Sequence, residues 1–314
     1  RDVLGSRGLG DVYKRQRYYL DEEPIPVQLC YKDAVTPVIY VNCRKENKQT
    51  TNEIDKLSVA DSSEIAGCNL VITDAEGKEI ISWTSGDKDS VKVSVTEKDG
   101  YCNLKYSFDE KGNLHVGGLL HDKDYTLTET RPADGYVTAD AIVYQIKQKT
   151  AEDGSVSSVV SIKQEDGTYA DQEDDKTVMV DEQTHIQLLK LDKKSGQALG
   201  GAKFVVTNSK GKEVMKFVTK DEAYDITGKL VVGETYTFTE TSAPSGYQLA
   251  EPVKITIKDT SKVQTITVKD APIPDVPDTP QTGGTLPIIP LAAGFFGVAA
   301  AALMVWKKRG LVKK

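Results

Sequence analysis

The sequence is poor in the residues from which most metal and hydrolytic sites are built. Its three histidines lie far apart and lack the spacing of metal ligands: His115, His121 and His185. This pattern argues against a histidine-based metal site and against a Ser-His-Asp hydrolase. Its four cysteines form no C-x-x-C pair, which argues against zinc and thioredoxin-like sites: Cys30, Cys43, Cys68 and Cys102. They could pair in an exported protein, but we interpret them as buried or free thiols, because cysteine packs as a small hydrophobe.

Clustered positive charge is also scarce. The net charge is -7, and no group of lysines and arginines occurs before the last eight residues, so we expect no nucleic-acid binding. The 314 residues suffice for two or three domains with ordinary cores. Outside one C-terminal apolar run, no segment has a convincing helical period, whereas alternation of apolar and polar residues is frequent. These features predict an all-β protein.

The N-terminal segment does not resemble a folded domain. Residues 6–16 read SRGLGDVYKRQ, which matches the translation of a transposon-type sequencing adapter, so we set residues 1–16 aside as a probable artefact. Residues 17–50 contain two short strand patterns, at 27–31 and 38–42, and we interpret them as the final strands of a truncated upstream β domain. On this interpretation a signal peptide is missing through truncation, and its absence says nothing about location.

The C-terminal segment carries a more specific pattern. Residues 286–306 form a run of 21 residues without charge, long enough for a transmembrane helix, and residues 307–314 form a basic tail that we expect to be cytoplasmic. Residues 273–285 form a Pro-rich linker that contains a five-residue motif: Thr279, Pro280, Gln281, Thr282 and Gly283. A plain membrane anchor is the alternative interpretation of this segment.

The motif resembles the sortase sorting signal Leu-Pro-x-Thr-Gly, with Thr279 in place of leucine. The motif, the apolar span and the basic tail also occur in the order that is typical of sortase substrates. This resemblance implies that a sortase cleaves after Thr282 and passes its carboxyl group to a peptidoglycan precursor or to a pilin lysine. The membrane would then be a transient partner, and the protein would be secreted and covalently anchored to the cell wall.

A degenerate repeat occupies the body of the chain. Tyr-Thr-Leu-Thr-Glu at 125–129 corresponds to Tyr-Thr-Phe-Thr-Glu at 236–240, and each is followed by a Pro-containing turn and a Gly-Tyr pair. Short strands with frequent turn signals favour antiparallel sandwiches. We therefore predict two tandem sandwiches, a first sandwich at residues 51–183 and a second at 184–272. Two extra stretches of the first sandwich, near 91–113 and 150–172, are interpreted as added hairpins or long loops.

Strand alternation places three charged residues of the second sandwich on apolar faces. Lys190 shares a face with Ile186 and Leu188, and Glu240 and Asp270 likewise follow apolar residues at a spacing of two. Burying an unpaired charge costs several kcal/mol, so we expect the three side chains to meet.

The pattern around these residues resembles the CnaB-type domains of Gram-positive pilins and adhesins, which have a transthyretin-like Greek-key sandwich. The resemblance implies an isopeptide bond between Lys190 and Asp270, assisted by Glu240 as the acid. In the first sandwich it implies the same roles for a second set: Lys56, Asp181 and Glu129. Asn47 resembles the acceptor of the truncated domain, and an ordinary linker residue is the alternative. A buried ion pair without a covalent bond is the alternative for both sandwiches.

The first sandwich departs from the pattern in several places. Ser58 stands where the second sandwich has Asp192, and Cys68 stands where it has Ala202. Met179 and Asp181 share one face of their strand while two valines share the other, so the buried side is ambiguous from sequence.

Together these features predict a wall-anchored stalk of an adhesin or a minor pilin, without cofactors or enzymatic turnover. A host ligand would bind to a region upstream of the residues present. The alternative is the stalk and anchor of a wall-attached enzyme whose catalytic domain lies upstream.

Overall fold

The computed structural model describes residues 48–96, 101, 104–153 and 155–274. Within these ranges all regular secondary structure is β-strand, which confirms the all-β prediction for the described residues. No helix in this described part is long and apolar enough to cross a membrane. The proposed adapter segment, Asn47, the sorting motif, the apolar run and the basic tail lie outside the described residues, and so do Cys30, Cys43 and Cys102.

The first sandwich contains eleven strands, β1 to β11, in two sheets. Their bounds are β1 (Thr51–Ser58), β2 (Asn69–Asp74), β3 (Glu79–Thr84), β4 (Asp87–Val93), β5 (Lys105–Phe108), β6 (Leu114–Gly117), β7 (Tyr125–Arg131), β8 (Ile142–Thr150), β9 (Val156–Lys163), β10 (Tyr169–Asp171) and β11 (Lys176–Asp181). One sheet has the order β11-β1-β6-β5, and the other has the order β10-β9-β8-β7-β2-β3-β4. Side chains from both sheets form one apolar core, which includes Ile54, Leu70, Leu127 and Met179.

The second sandwich is smaller and contains strands β12 to β18. Their bounds are β12 (Ile186–Asp192), β13 (Lys203–Asn208), β14 (Glu213–Val218), β15 (Tyr224–Asp225), β16 (Thr235–Ser242), β17 (Val253–Thr256) and β18 (Gln264–Asp270). Its sheets have the orders β15-β12-β18 and β14-β13-β16-β17. A separate core contains Leu188, Phe204, Phe238 and Val268. The bounds predicted for the two domains remain a prediction, although each core lies inside one of them.

The extra length of the first sandwich forms additional strands. The second stretch, near 150–172, contributes β9 and β10, which extend the larger sheet beyond β8. In the first stretch, β5 pairs with β6 as an antiparallel hairpin at the edge of the smaller sheet. These strands add to the edges of both sheets and leave the central pairs in the same arrangement as in the second sandwich.

The first and last strands of each sandwich lie side by side and run parallel. β1 pairs with β11 over six residues, and β12 pairs with β18 over seven. This differs from the purely antiparallel sandwich that the sequence favoured. A parallel pair needs a long crossover connection, and here the whole remainder of each sandwich provides that connection. The parallel register places the point where the chain enters each sandwich and the point where it leaves at opposite ends of this strand pair.

A short segment with backbone hydrogen bonds to both sandwiches joins them. The backbone N–H of Thr184 donates to Gly135 O at 2.8 Å, and its carbonyl accepts from Gly228 N at 2.9 Å. Gly135 has a φ of +89°, and a Cβ atom there would lie 2.3 Å from Gly228 O. Only glycine fits this contact, because a side chain at residue 135 would collide with backbone rather than with a movable group.

Candidate functional site

The second sandwich brings its three predicted charged residues together in the core. Lys190 lies on β12, Glu240 on β16 and Asp270 on β18, each on the inward face of its strand. Lys190 Nζ lies 3.0 Å from Glu240 Oε1 and also contacts Asp270 Oδ1 directly. The side chains of Lys190 and Asp270 are completely buried, and that of Glu240 is 1% exposed. The expectation that these groups meet agrees with this geometry.

The surroundings of this pocket favour the uncharged form of Glu240. Burial raises the pKa of Glu240, and the N–H of Ala250, which donates to Glu240 Oε2 at 2.7 Å, opposes that rise only in part. The Phe204 ring centroid lies 5.5 Å from Lys190 Nζ and forms one apolar wall. Asp270 Oδ2 is buried and has no hydrogen-bond partner among the described residues.

The first sandwich repeats the arrangement with a different set of residues. Lys56 Nζ lies 3.1 Å from Glu129 Oε1 and contacts Asp181 Oδ1 directly, and both carboxyl groups are completely buried. The N–H of Ala139 donates to Glu129 Oε2 at 2.7 Å, as Ala250 does to Glu240 in the second sandwich. Burial raises the pKa of Asp181 to about 6, against the opposing effect of the neighbouring lysine.

The structure resolves the ambiguity of strand β11: the face that carries Asp181 is the buried one. Met179 is 1% exposed and Asp181 is buried with it, while Val178 and Val180 are 40% and 50% exposed. The two valines therefore lie on the solvent side of an edge strand.

Cys68 is the principal difference between the two sites. Its Sγ lies 3.7 Å from Asp181 Oδ2, to which the thiol donates a hydrogen bond. Burial raises the pKa of this thiol to about 12, so it stays protonated. The sequence showed that Cys68 replaces Ala202, but the contact with Asp181 depends on tertiary packing and carried no local signal.

A second difference lies at the last residue of β12, Asp192, which is paired with Asp270 of β18. In the second sandwich Tyr247 Oη donates to Asp192 Oδ2 at 2.6 Å, and this hydrogen bond lowers the pKa of Asp192. Asp192 Oδ1 also accepts from the N–H groups of Lys194 and Ser195, at 2.6 Å and 2.8 Å. Ser58 takes the corresponding place in the first sandwich, so there no carboxylate occupies that position.

Two groups of side chains among the described residues have the composition of a metal site. Cys68, Glu129 and Asp181 form one of them, but Lys56 already compensates its negative charge. The other contains Glu53, Asp109 and His115, and in it Glu53 already pairs with Lys176 at 2.8 Å. Neither group offers a free set of ligands. The feature that both sandwiches share is an amine held between two acids in a buried pocket. That arrangement is suited to condensation of the amine with one acid.

Sequence comparison identifies the fold family of these domains. The sequence profile of the family described as SpaA, prealbumin-like fold domain, matches residues 50–165 and 184–272. The second match contains its entire site, whereas the first ends before β11 and so omits Asp181. No curated protein matches the sequence significantly.

Several solved structures are similar at low identity. The Bacillus anthracis TIE protein is 21% identical, with 72% of this chain and 35% of that chain covered and a TM-score of 0.34. The C-terminal fragment of the pilus adhesin SpaC from Lactobacillus rhamnosus GG is 17% identical, with 73% and 100% covered and a TM-score of 0.35. The shaft pilin SpaA of the same organism is 15% identical, with 73% and 99% covered and a TM-score of 0.26. The chain thus spans about a third of the first of these proteins, and its family assignment rests on the sequence profile.

Proposed function

The chain belongs to the SpaA prealbumin-like fold family, whose profile covers about two-thirds of it, and on this premise we propose that it is the stalk of a bacterial surface protein, either an adhesin or a minor pilin. Each sandwich forms one covalent Lys-Asp isopeptide bond by itself, without the help of an enzyme. The observation that carries the proposal is the buried lysine that contacts a glutamate and an aspartate in both sandwiches.

The reaction balances as a simple condensation. The neutral Nζ of Lys190 attacks Cγ of Asp270, the new C–N bond forms, and one carboxyl oxygen leaves as water. The condensation requires a neutral amine against a neutral acid, and an apolar interior in general favours uncharged groups. Protonated Glu240 donates to the acceptor oxygen and relays a proton to the leaving group. Because the reactants are held in contact by the fold, much of the activation entropy is already spent.

The position of the bonds supports a load-bearing role. Each bond links the first strand of a sandwich to its last strand, and these strands are parallel neighbours. A force applied to the chain ends then passes through the cross-links and through the eight residues 182–189 that lie between the two bonds. Like a disulfide, the link closes a long loop, but it needs no oxidant and survives reduction.

The C-terminal pattern supports attachment to the cell wall. A sortase would recognise residues 279–283, cleave after Thr282 and transfer the chain to a peptidoglycan precursor or a pilin lysine. The support for this step is the order of motif, apolar run and basic tail in the sequence. A stalk that carries an upstream catalytic domain of a wall-attached enzyme is the second candidate, and the same anchor favours both.

Intact mass measurement of the purified full chain tests the bond directly. We expect a deficit of two water molecules relative to the sequence. Lys56→Met and Lys190→Met should each restore the mass of one water, since each removes one attacking amine. Lys254→Met, at an exposed position on β17, is the matched control and should leave both bonds intact. An unmodified chain without any deficit would show that the lysines form buried ion pairs only.

A further inference from the structure

The two reactive sites have one matched position at which their chemistry differs. The N–H of Cys68 donates to Ser85 Oγ at 3.0 Å, and the N–H of Ala202 donates to Thr219 Oγ1 at 3.1 Å. The carbonyl of each residue accepts from the backbone N–H of the same partner, at 2.8 Å and 2.9 Å. Cys68 and Ala202 are therefore structurally equivalent, and both are completely buried.

This difference changes the environment of the acceptor carboxyl. In the second sandwich Oδ2 of Asp270 is buried without a hydrogen-bond partner among the described residues. In the first sandwich Oδ2 of Asp181 accepts the S–H of Cys68. The thiol thus satisfies the same acceptor atom that is left unsatisfied beside Ala202.

We propose that Cys68 is a positioning residue for isopeptide formation in the first sandwich, where its thiol holds Asp181 Oδ2 and so aims Cγ at Lys56 Nζ. The inference rests on the proposed function, because it concerns the efficiency of that condensation. The hydrogen bond restricts rotation of the carboxyl group and withdraws electron density from Oδ2. Both effects favour attack at Cγ.

The thiol is not consumed in this step. Nζ of Lys56 bonds to Cγ of Asp181, the bond from Cγ to Oδ1 breaks, and Oδ1 leaves as water with the acid proton and one amine proton relayed by Glu129. Oδ2 remains as the amide oxygen and keeps its hydrogen bond to the thiol. Sulfur is neither oxidised nor acylated, and the protonated state of the thiol provides no thiolate that could attack Asp181.

The natural difference between the sandwiches supplies reciprocal variants. Cys68→Ala gives the first site the residue of the second, Ala202→Cys does the reverse, and Cys68→Ser keeps a hydrogen-bond donor at the first site. The full chain is produced by cell-free synthesis, quenched in acidic denaturant at a series of times and digested. The cross-linked peptides that contain Lys56 or Lys190 then report the rate of each bond separately by mass.

We expect Cys68→Ala to slow the first bond about fivefold, which corresponds to the loss of one hydrogen bond, and to leave the second bond unchanged. Cys68→Ser should retain most of the rate, and Ala202→Cys should accelerate the second bond by a similar factor. Thermal unfolding of each variant, after its bonds have formed, identifies slowing that results from a disturbed core. If the role of Cys68 were purely structural, Cys68→Ala would lower the Tm, and Cys68→Ser would not restore the rate of the first bond.

Two contrary outcomes are distinguishable. If both bonds form in the unmodified chain and Cys68→Ala leaves the first rate unchanged, the positioning role is wrong while the proposed function stands. If neither bond forms in the unmodified chain, the proposed condensation itself is wrong, and the role of Cys68 falls with it.

Discussion

The first and second sandwiches contain the same buried triad in different surroundings. Lys56 and Asp181 are 125 residues apart in sequence, whereas Lys190 and Asp270 are 80 residues apart. The additional residues of the first sandwich form edge strands and leave the parallel pairing of first and last strands unchanged. The comparison shows that the site needs two parallel terminal strands and one glutamate on the opposite sheet, while sheet width and loop length are free to vary.

Mechanical unfolding gives the largest expected contrast between the two sandwiches. In the unmodified chain, pulled from points before Lys56 and after Asp270, we expect neither sandwich to extend, because the cross-links transmit the load. Lys56→Met should release about 430 Å of chain and Lys190→Met about 280 Å, at about 3.3–3.6 Å per residue for the two loop lengths. Single-molecule force spectroscopy measures both lengths.

The variant Lys254→Met, changed at an exposed position, is the control, and we expect it to release neither length of chain. Release of either length by the unmodified chain would show that the corresponding sandwich is not closed by a covalent bond. The released length itself identifies which sandwich has opened, since it follows from the sequence separation of the lysine and the aspartate in each sandwich.

Strand alternation was sufficient to predict much of this architecture. It assigned the inward faces of β12, β16 and β18, because charged residues at a spacing of two from apolar ones must either be buried or interrupt the core. It could not predict that β12 and β18 run parallel, since the pairing of strands 80 residues apart is set by tertiary topology.

The first sandwich shows a further limit of sequence-based prediction. Alternation left the buried side of β11 open, because apolar residues occupy both faces and only the packing of Met179 selects one. The sequence also identified Cys68 as a substitution but not as a partner of Asp181, because that contact joins residues 113 positions apart in sequence.

The pH dependence of bond formation sharpens the comparison at the level of rate. Burial raises the pKa of Asp181 to about 6, and the reactive pair of a neutral amine and a neutral acid holds one proton fewer than an acid beside an ammonium group. Above that pKa the pair shares a single proton, which can move to the carboxyl group and give the reactive neutral pair. The rate of the first bond should therefore rise about tenfold per pH unit up to about 6 and then level off.

The time course of the cross-linked peptide, measured at several pH values, tests this profile. The peptide that contains Lys190 provides the internal comparison in the same samples. A first-bond rate that falls between pH 4 and 6 would contradict the assignment, because it would mean that the fully protonated pair is the reactive form.

The smallest expected effect concerns the hydrogen bond from Tyr247 to Asp192, a carboxylate for which the first sandwich has Ser58 instead. Tyr247→Phe removes the hydroxyl that donates to Asp192, and we expect the Tm of the second sandwich to fall by a few degrees at neutral pH. Tyr136→Phe is the matched control in the first sandwich and should lower the Tm less, because Ser58 stands there in place of the aspartate. Calorimetry of the cross-linked chain measures both changes.

The sign of the pH effect distinguishes this hydrogen bond from simple packing of the ring. The pKa of Asp192 is lowered in the folded state, so its contribution is complete above the ordinary value of 3.8 and is lost as the pH falls through the lower folded value. The Tm difference between Tyr247→Phe and the unmodified chain should accordingly shrink in strong acid. A difference that persists unchanged below that range would assign the effect to the packing of the tyrosine, and the two sandwiches would then differ at this position in shape rather than in charge.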